Sequence, residues 1–199
     1  MTMQSTDVKL QSTTTAPSTR PGAAQAGVSL MEVLLVIAIV AFLVVGGLTL
    51  FTQAQQQGSA QRAQQQLSNL SSSIRGAFAG QPTYTGLDQT TLFNLNAVPD
   101  DMDGGDGNIY NAFGAQVAVD VGGNCGQDPR NGTAYTAGYF CVDFPGLTEE
   151  TCQRLVSANI GADSIGPANG TMNAPPIDVT EAQQICTQGQ NTIRWVFAG

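Results

Sequence analysis

From residue 28 to residue 51 the chain reads VSLMEVLLVIAIVAFLVVGGLTLF, apolar at nearly every position and interrupted by one charge, Glu32. A helix of that composition has no polar face, so it suits lipid or the inside of an assembly. At about 1.5 Å per residue the segment reaches roughly 36 Å, against a hydrocarbon core of about 30 Å. A secretory signal has a shorter apolar core, about 7–15 residues, with its small-residue cleavage site after it. Here the small residues, GAAQAG at 22–27, come before the apolar run.

Beyond Phe51 the character changes without a break. Gln, Ala and Ser dominate, and Ala60, Ala63, Leu67, Leu70, Ile74 and Ala77 recur at steps of three and four. That spacing draws a narrow apolar stripe along a helix. No proline occurs between Val28 and Pro82. The pattern therefore predicts one helix over 28–79, about 80 Å long, apolar all round in 28–51 and amphipathic in 52–79. Gly46-Gly47 is its weak point, at about 1 kcal/mol per glycine relative to alanine.

Residues 80–199 carry shorter periods and many Gly, Asn, Asp, Thr and Pro, as a globular head does. Alternation and β-branched or aromatic content predict strands at 115–121, 135–144 and 192–197. A helix is predicted over 147–160, with Thr148 as N-cap and Glu149 and Glu150 at the positive end of its dipole. A second short helix is predicted over 180–187, starting Thr-Glu, with a loop over 159–176 between them. Residues 1–27 have almost no large apolar side chains and are expected to be disordered. The fold class is α+β: the amphipathic half of a long N-terminal helix lies on an antiparallel sheet flanked by disulfide-stapled loops, and its apolar half protrudes.

Charge and composition narrow the function. The chain has 7 basic and 15 acidic side chains, a net charge of −8 and no histidine. Phosphate neutralisation needs Lys and Arg, so nucleic acid is not an expected partner. The commonest general base and metal ligand is missing, no lysine follows Lys9, and no triad or phosphate loop occurs, so neither an enzyme nor a cofactor is expected. Lys9 and Arg20 precede the apolar run, which places the N-terminus in the cytoplasm and the head across the membrane. In that compartment the four cysteines, at 125, 141, 152 and 186, read as two disulfides, with three possible connectivities. The acidic loop 100–108 offers Asp101, Asp103 and Asp106 as a Ca²⁺ candidate, but Gly105 stands at the third ligand position of an EF-hand pattern and no closing Glu follows, so a solvated turn is the reading. Sequons at Asn69, Asn131 and Asn169 are assigned no modification, and Trp195 is expected to pack in the last strand.

Glu32 stands five residues into the apolar run, directly after the polar, basic leader that ends at Gly27. The junction Gly27-Val28-Ser29-Leu30-Met31-Glu32, followed by VLLVIAIVAFLVV, resembles the processing site of type IV prepilins. The resemblance implies that a prepilin peptidase cuts after Gly27 and methylates Val28, and that Glu32 serves assembly. An ammonium at Val28 and the Glu32 carboxylate are each costly alone in an apolar core and satisfy one another when paired between subunits. The implied domains are a leader over 1–27, the long helix over 28–79 and the pilin head over 80–199.

The long leader, Val28 in place of a phenylalanine, and a helix without proline resemble the type IVb branch. So do the stretches around Cys152 and Cys186, which are similar to toxin-coregulated and thin conjugative pilus subunits. The resemblance implies that Cys152 pairs with Cys186, leaving Cys125 with Cys141. It implies a structural subunit that polymerises into surface filaments for adhesion, aggregation or mating contact. Its partners would be copies of itself, the prepilin peptidase, the inner-membrane assembly machinery and, before assembly, the membrane. Its location would be the inner membrane with a periplasmic head, then the cell-surface pilus. Two rivals are a type II secretion pseudopilin and an uncleaved single-span anchor carrying an extracytoplasmic binding domain.

Overall fold

The computed structural model describes residues 29–199, and of residues 46–57 the backbone alone. Two units divide the chain, Met1–Val45 and Gly46–Gly199. Ser29 and the first part of helix α1, Leu30–Ala77, are the described residues of the first unit, and the rest of the helix opens the second. Its helical backbone runs through Gly46-Gly47, the predicted weak point, and the unit boundary falls at that pair.

The second unit is built on the α1 stripe. Ala63, Leu67, Leu70 and Ile74 are fully buried, with Ala60 and Phe78 nearly so. Ala63, Leu67, Leu70, Ile74 and Phe78 share one cluster with the sheet residues Phe140, Val142, Phe144, Ile193, Trp195 and Phe197. The sheet has four antiparallel strands in the order β1-β2-β4-β3, where β1 is Ala118–Val121, β2 Tyr139–Leu147, β3 Ser164–Pro167 and β4 Asn191–Ala198. Because strand side chains alternate, β2 and β4 send these alternate residues to the α1 face and Cys141 and Val196 into a second cluster with Cys125, Tyr135 and Met172. Phe140 pairs with Phe197 across the strands, rings 5.3 Å apart, and Tyr84 meets Phe140 edge-on at 4.7 Å. Trp195 is buried in β4, where it packs edge-on against Phe144.

Several elements differ from the sequence pattern. The predicted strand over 115–121 is regular only from Ala118. Its first residues pair with 109–111 instead, because the Asn111 Oδ1 accepts the N–H groups of Phe113 and Ala115 and closes a turn at Gly114. The second predicted strand begins later, at Tyr139, after a turn in which the Tyr139 N–H donates to the Thr136 carbonyl. It continues to Leu147 across an irregular register after Phe144, where Gly146 takes φ 80° against Ala115. The predicted loop over 159–176 contains β3, an edge strand too short to show alternation. Helix α2, Gln89–Asn94, has no counterpart in the predicted elements. Helices α3, Glu149–Val156, and α4, Val179–Ile185, complete the unit. Thr148 caps α3, its Oγ1 accepting from the Thr151 N–H. The cap of α4 is Asp178, in a reciprocal capping box with Glu181, so the helix starts before the Thr180-Glu181 pair suggested by pattern.

Candidate functional site

The start of α1 is shaped by Ser29 and Glu32. Ser29 stands where the first helical N–H groups lack partners, and its Oγ accepts from the Glu32 N–H at 3.2 Å. The Ser29 carbonyl takes the same N–H at 2.9 Å and that of Val33 at 3.2 Å. Glu32 sits in the first turn, where a carboxylate suits the helix dipole, and is exposed. The S-x-x-E spacing of Ser29 and Glu32 could have pointed to the cap, which pattern reading of the apolar run passed over. The cleavage position Gly27–Val28, the methylated Val28 and the leader lie outside the described residues.

Around Glu32 the helix offers only apolar surface. Every Leu, Ile, Val, Met and Phe from Leu30 through Val45 is exposed, with Leu30, Met31 and Phe42 near 80 %. Soluble monomers rarely expose a contiguous apolar patch beyond a few hundred Å². Such a surface is a site for lipid or protein. Among the described residues no helix is long and apolar enough to cross a membrane.

Among the described residues, two disulfides and the ion pairs of three arginines tie the head together. Cys125, in the turn after β1, joins Cys141 of β2, and Cys152 of α3 joins Cys186 at the end of α4, the pairs implied by the resemblance. Arg194 donates from Nε and Nη2 to the two oxygens of Asp143 at 2.6 and 2.7 Å, which raises its pKa. Arg130 holds Asp163 through its guanidinium at 3.1 Å, and Arg154 reaches Glu150 one turn back on α3. Arg75 donates to the Ala198 carbonyl and lies over the Phe197 ring, tying α1 to the end of β4.

The three acidic side chains considered for Ca²⁺ do not converge. Asp101 accepts from the buried Gln66 amide at 2.9 Å, Asp103 from the Gly105 N–H, and Asp106 from the Asn108 N–H and the Tyr110 hydroxyl. Bonds from Asn108 and then Tyr110 hold the Asp106 carboxyl below its usual range. Among the described residues no group of three His, Cys, Asp or Glu is placed to hold a metal. A cleft of about 420 Å³ beside Gly126 and Met172 presents a single carboxylate, Asp128, already bonded to the Arg130 N–H.

With this geometry in view, similarity to known proteins is informative. The family model described as PilS N terminal matches residues 57–198. The chain is 30% identical, over 141 residues, to the major structural subunit of bundle-forming pilus of Escherichia coli O127:H6, covering 70% of this chain and 68% of that protein. The corresponding subunit of Escherichia coli O111:H- matches to the same extent. Among solved structures, a type IV b pilin from Salmonella typhi superimposes with a TM-score of 0.51 at 20% identity, over 69% of this chain and 98% of that one. At that identity the last comparison speaks for the fold alone.

Proposed function

The chain belongs to the type IV pilin family, in its PilS group, and on that premise we propose that it is a type IVb pilus subunit which polymerises through α1, with Glu32 as the assembly carboxylate. It is a structural protein, not an enzyme, and acts as a subunit of pilus filaments at the cell surface. One observation carries the assembly role: a sheath of exposed apolar side chains from Leu30 to Val45 bears a single charge, Glu32, in its first turn. Helix against helix, copies of that surface bury their apolar area at about 25 cal/mol per Å². The carboxylate then enters an apolar core, where it is tolerated only beside a cation.

That cation is supplied by processing. Cleavage after Gly27 creates an ammonium at Val28, four residues before Glu32, and methylation leaves it charged. The cut therefore makes the charge pair as well as removing the leader over 1–27. Before assembly the apolar part of 28–51 sits in the inner membrane, with the head over 80–199 in the periplasm and 52–79 as its amphipathic support. A prepilin peptidase and an inner-membrane assembly machinery are the partners at that stage, and the filament serves adhesion, aggregation or mating contact. The pilus-subunit relatives favour this reading over a secretion pseudopilin.

The test has two parts. N-terminal mass measurement of the mature chain should find methyl-Val28, and a leader left intact ends the proposal. Glu32→Val and Glu32→Ala should leave membrane insertion unchanged while surface filaments are lost, and filament yield equal to the unmodified chain would refute the role of Glu32.

A further inference from the structure

On the pilus-subunit reading, one polar contact between neighbouring copies can be named. The described residues include five arginines, and four of them are engaged. Arg75 is bonded to the Ala198 carbonyl, Arg130 to Asp163, Arg154 to Glu150 and Arg194 to Asp143. Arg62 is exposed on α1 and makes no ion pair or hydrogen bond within the described residues. Its helical neighbours Gln61, Gln64 and Gln65 are exposed and neutral, so the cation is alone on that surface.

The complementary charge is the loop over 100–106. Asp100, Asp101, Asp103 and Asp106 are all exposed, and no arginine pairs with any of them. The loop is a fixed platform. Gln66 of α1, whose side chain is buried, donates to Asp101, and Gln89 donates to the Gly107 carbonyl at 2.9 Å. Gln66 stands four residues after Arg62, so cation and loop share a flank of α1, yet they form no pair within one chain. The chain holds 15 acidic against 7 basic side chains. Heads crowded in a filament repel one another unless cations are set at their contacts.

We propose that Arg62 of one copy docks on the acidic 100–106 loop of the next copy in the filament. The two patches are different, so the contact is heterologous. Each copy added leaves a free loop at one end and a free Arg62 at the other, and growth continues without closing. Opposite charges at such a contact fix partner and register, and like charges there are strongly unfavourable.

Charge exchange between two chains tests this. Arg62→Glu in one chain, and Asp100→Lys with Asp103→Lys in another, should each lower sheared-filament yield about tenfold or more. The amount of oxidised subunit in the membrane should not change. Co-expression of the two chains should restore filaments, because alternating copies then meet with opposite charges at every contact. No rescue on co-expression, or undiminished yield from Arg62→Glu alone, would overturn the contact. Absence of filaments from the unmodified chain would instead overturn the pilus reading itself. A gentler variant guards against misfolding. Arg62→Lys introduces the only lysine after Lys9. Carbodiimide treatment of its intact filaments should give a cross-linked peptide joining position 62 to the 100–106 loop of another copy, and filaments without that peptide overturn the contact.

Discussion

At the scale of single residues the apolar stripe of α1 decides most. Leu70 is fully buried between α1 and the sheet, and Leu70→Ala should lower unfolding free energy by about 2–5 kcal/mol through lost transfer and the cavity left behind. Urea titration of the full chain in detergent, read by the fluorescence of Trp195, measures this; the tryptophan is the only one in the chain and is buried. The stripe was legible because a helix has a fixed period. The partner of Asp143 was not. Arg194 lies 51 residues away, and only the register that sets Asp143 opposite Arg194 brings them together. Asp143→Ala, which leaves the guanidinium without its two carboxylate bonds, should cost roughly 2–3 kcal/mol in the same titration. Asp88 gives a pH dependence. The Thr91 N–H holds its carboxyl below the usual range, so Asp88 supports α2 above the ordinary carboxylate pKa of about 3.9 and loses that support as pH falls. Amide exchange at Thr91 should speed up below that pH in the parent chain and show no such acid step in Asp88→Asn.

At the scale of elements, local chemistry placed helices well and strands less well. Thr148 is the cap that its spacing before Glu149 and Glu150 predicts. For α4 the sequence pattern gives a Thr180-Glu181 start, whereas the structure puts the cap at Asp178, whose side chain takes the Glu181 N–H at 2.8 Å. Asp178→Ala should therefore cost about 1 kcal/mol, and Thr180→Ala almost nothing, in denaturant titrations of the two variants. β3 escaped the pattern for a different reason. Four residues, Ser-Ile-Gly-Pro, hold no alternation of their own, and they become a strand only because β4 offers an edge to pair with. The 115–121 segment starts later than its pattern predicts because the Asn111 side chain turns the chain at Gly114, an interaction that leaves no trace in hydrophobic periodicity.

At the scale of the molecule the disulfides close two loops, with sequence separations of 16 and 34 residues. Each closure removes freedom from the unfolded chain and is worth about 2–4 kcal/mol. Cys152→Ser with Cys186→Ser should lower the unfolding free energy in urea titration by that amount and loosen α3 against α4, seen as faster amide exchange in both helices. The head built this way carries strongly negative loops, while the start of α1 carries nearly uncharged apolar surface. On the proposed assembly through α1, apolar burial supplies the free energy and sparse charges the register, with Glu32 and Arg62 the charged positions that the proposals single out.

The sequence by itself determined α1 and the position of Glu32, because helical period, absence of proline and the onset of an apolar run are local properties of the chain. It also limited the chemistry, since a chain without histidine and with four cysteines has few catalytic options. The tertiary structure decided what depends on residues far apart: the strand order β1-β2-β4-β3, the pairing of Asp143 with Arg194, and the anchoring of the acidic loop by Gln66. The physical reason is that cross-strand register and side-chain partners are fixed by how separate segments pack, and no period along the chain encodes which segment will be the neighbour.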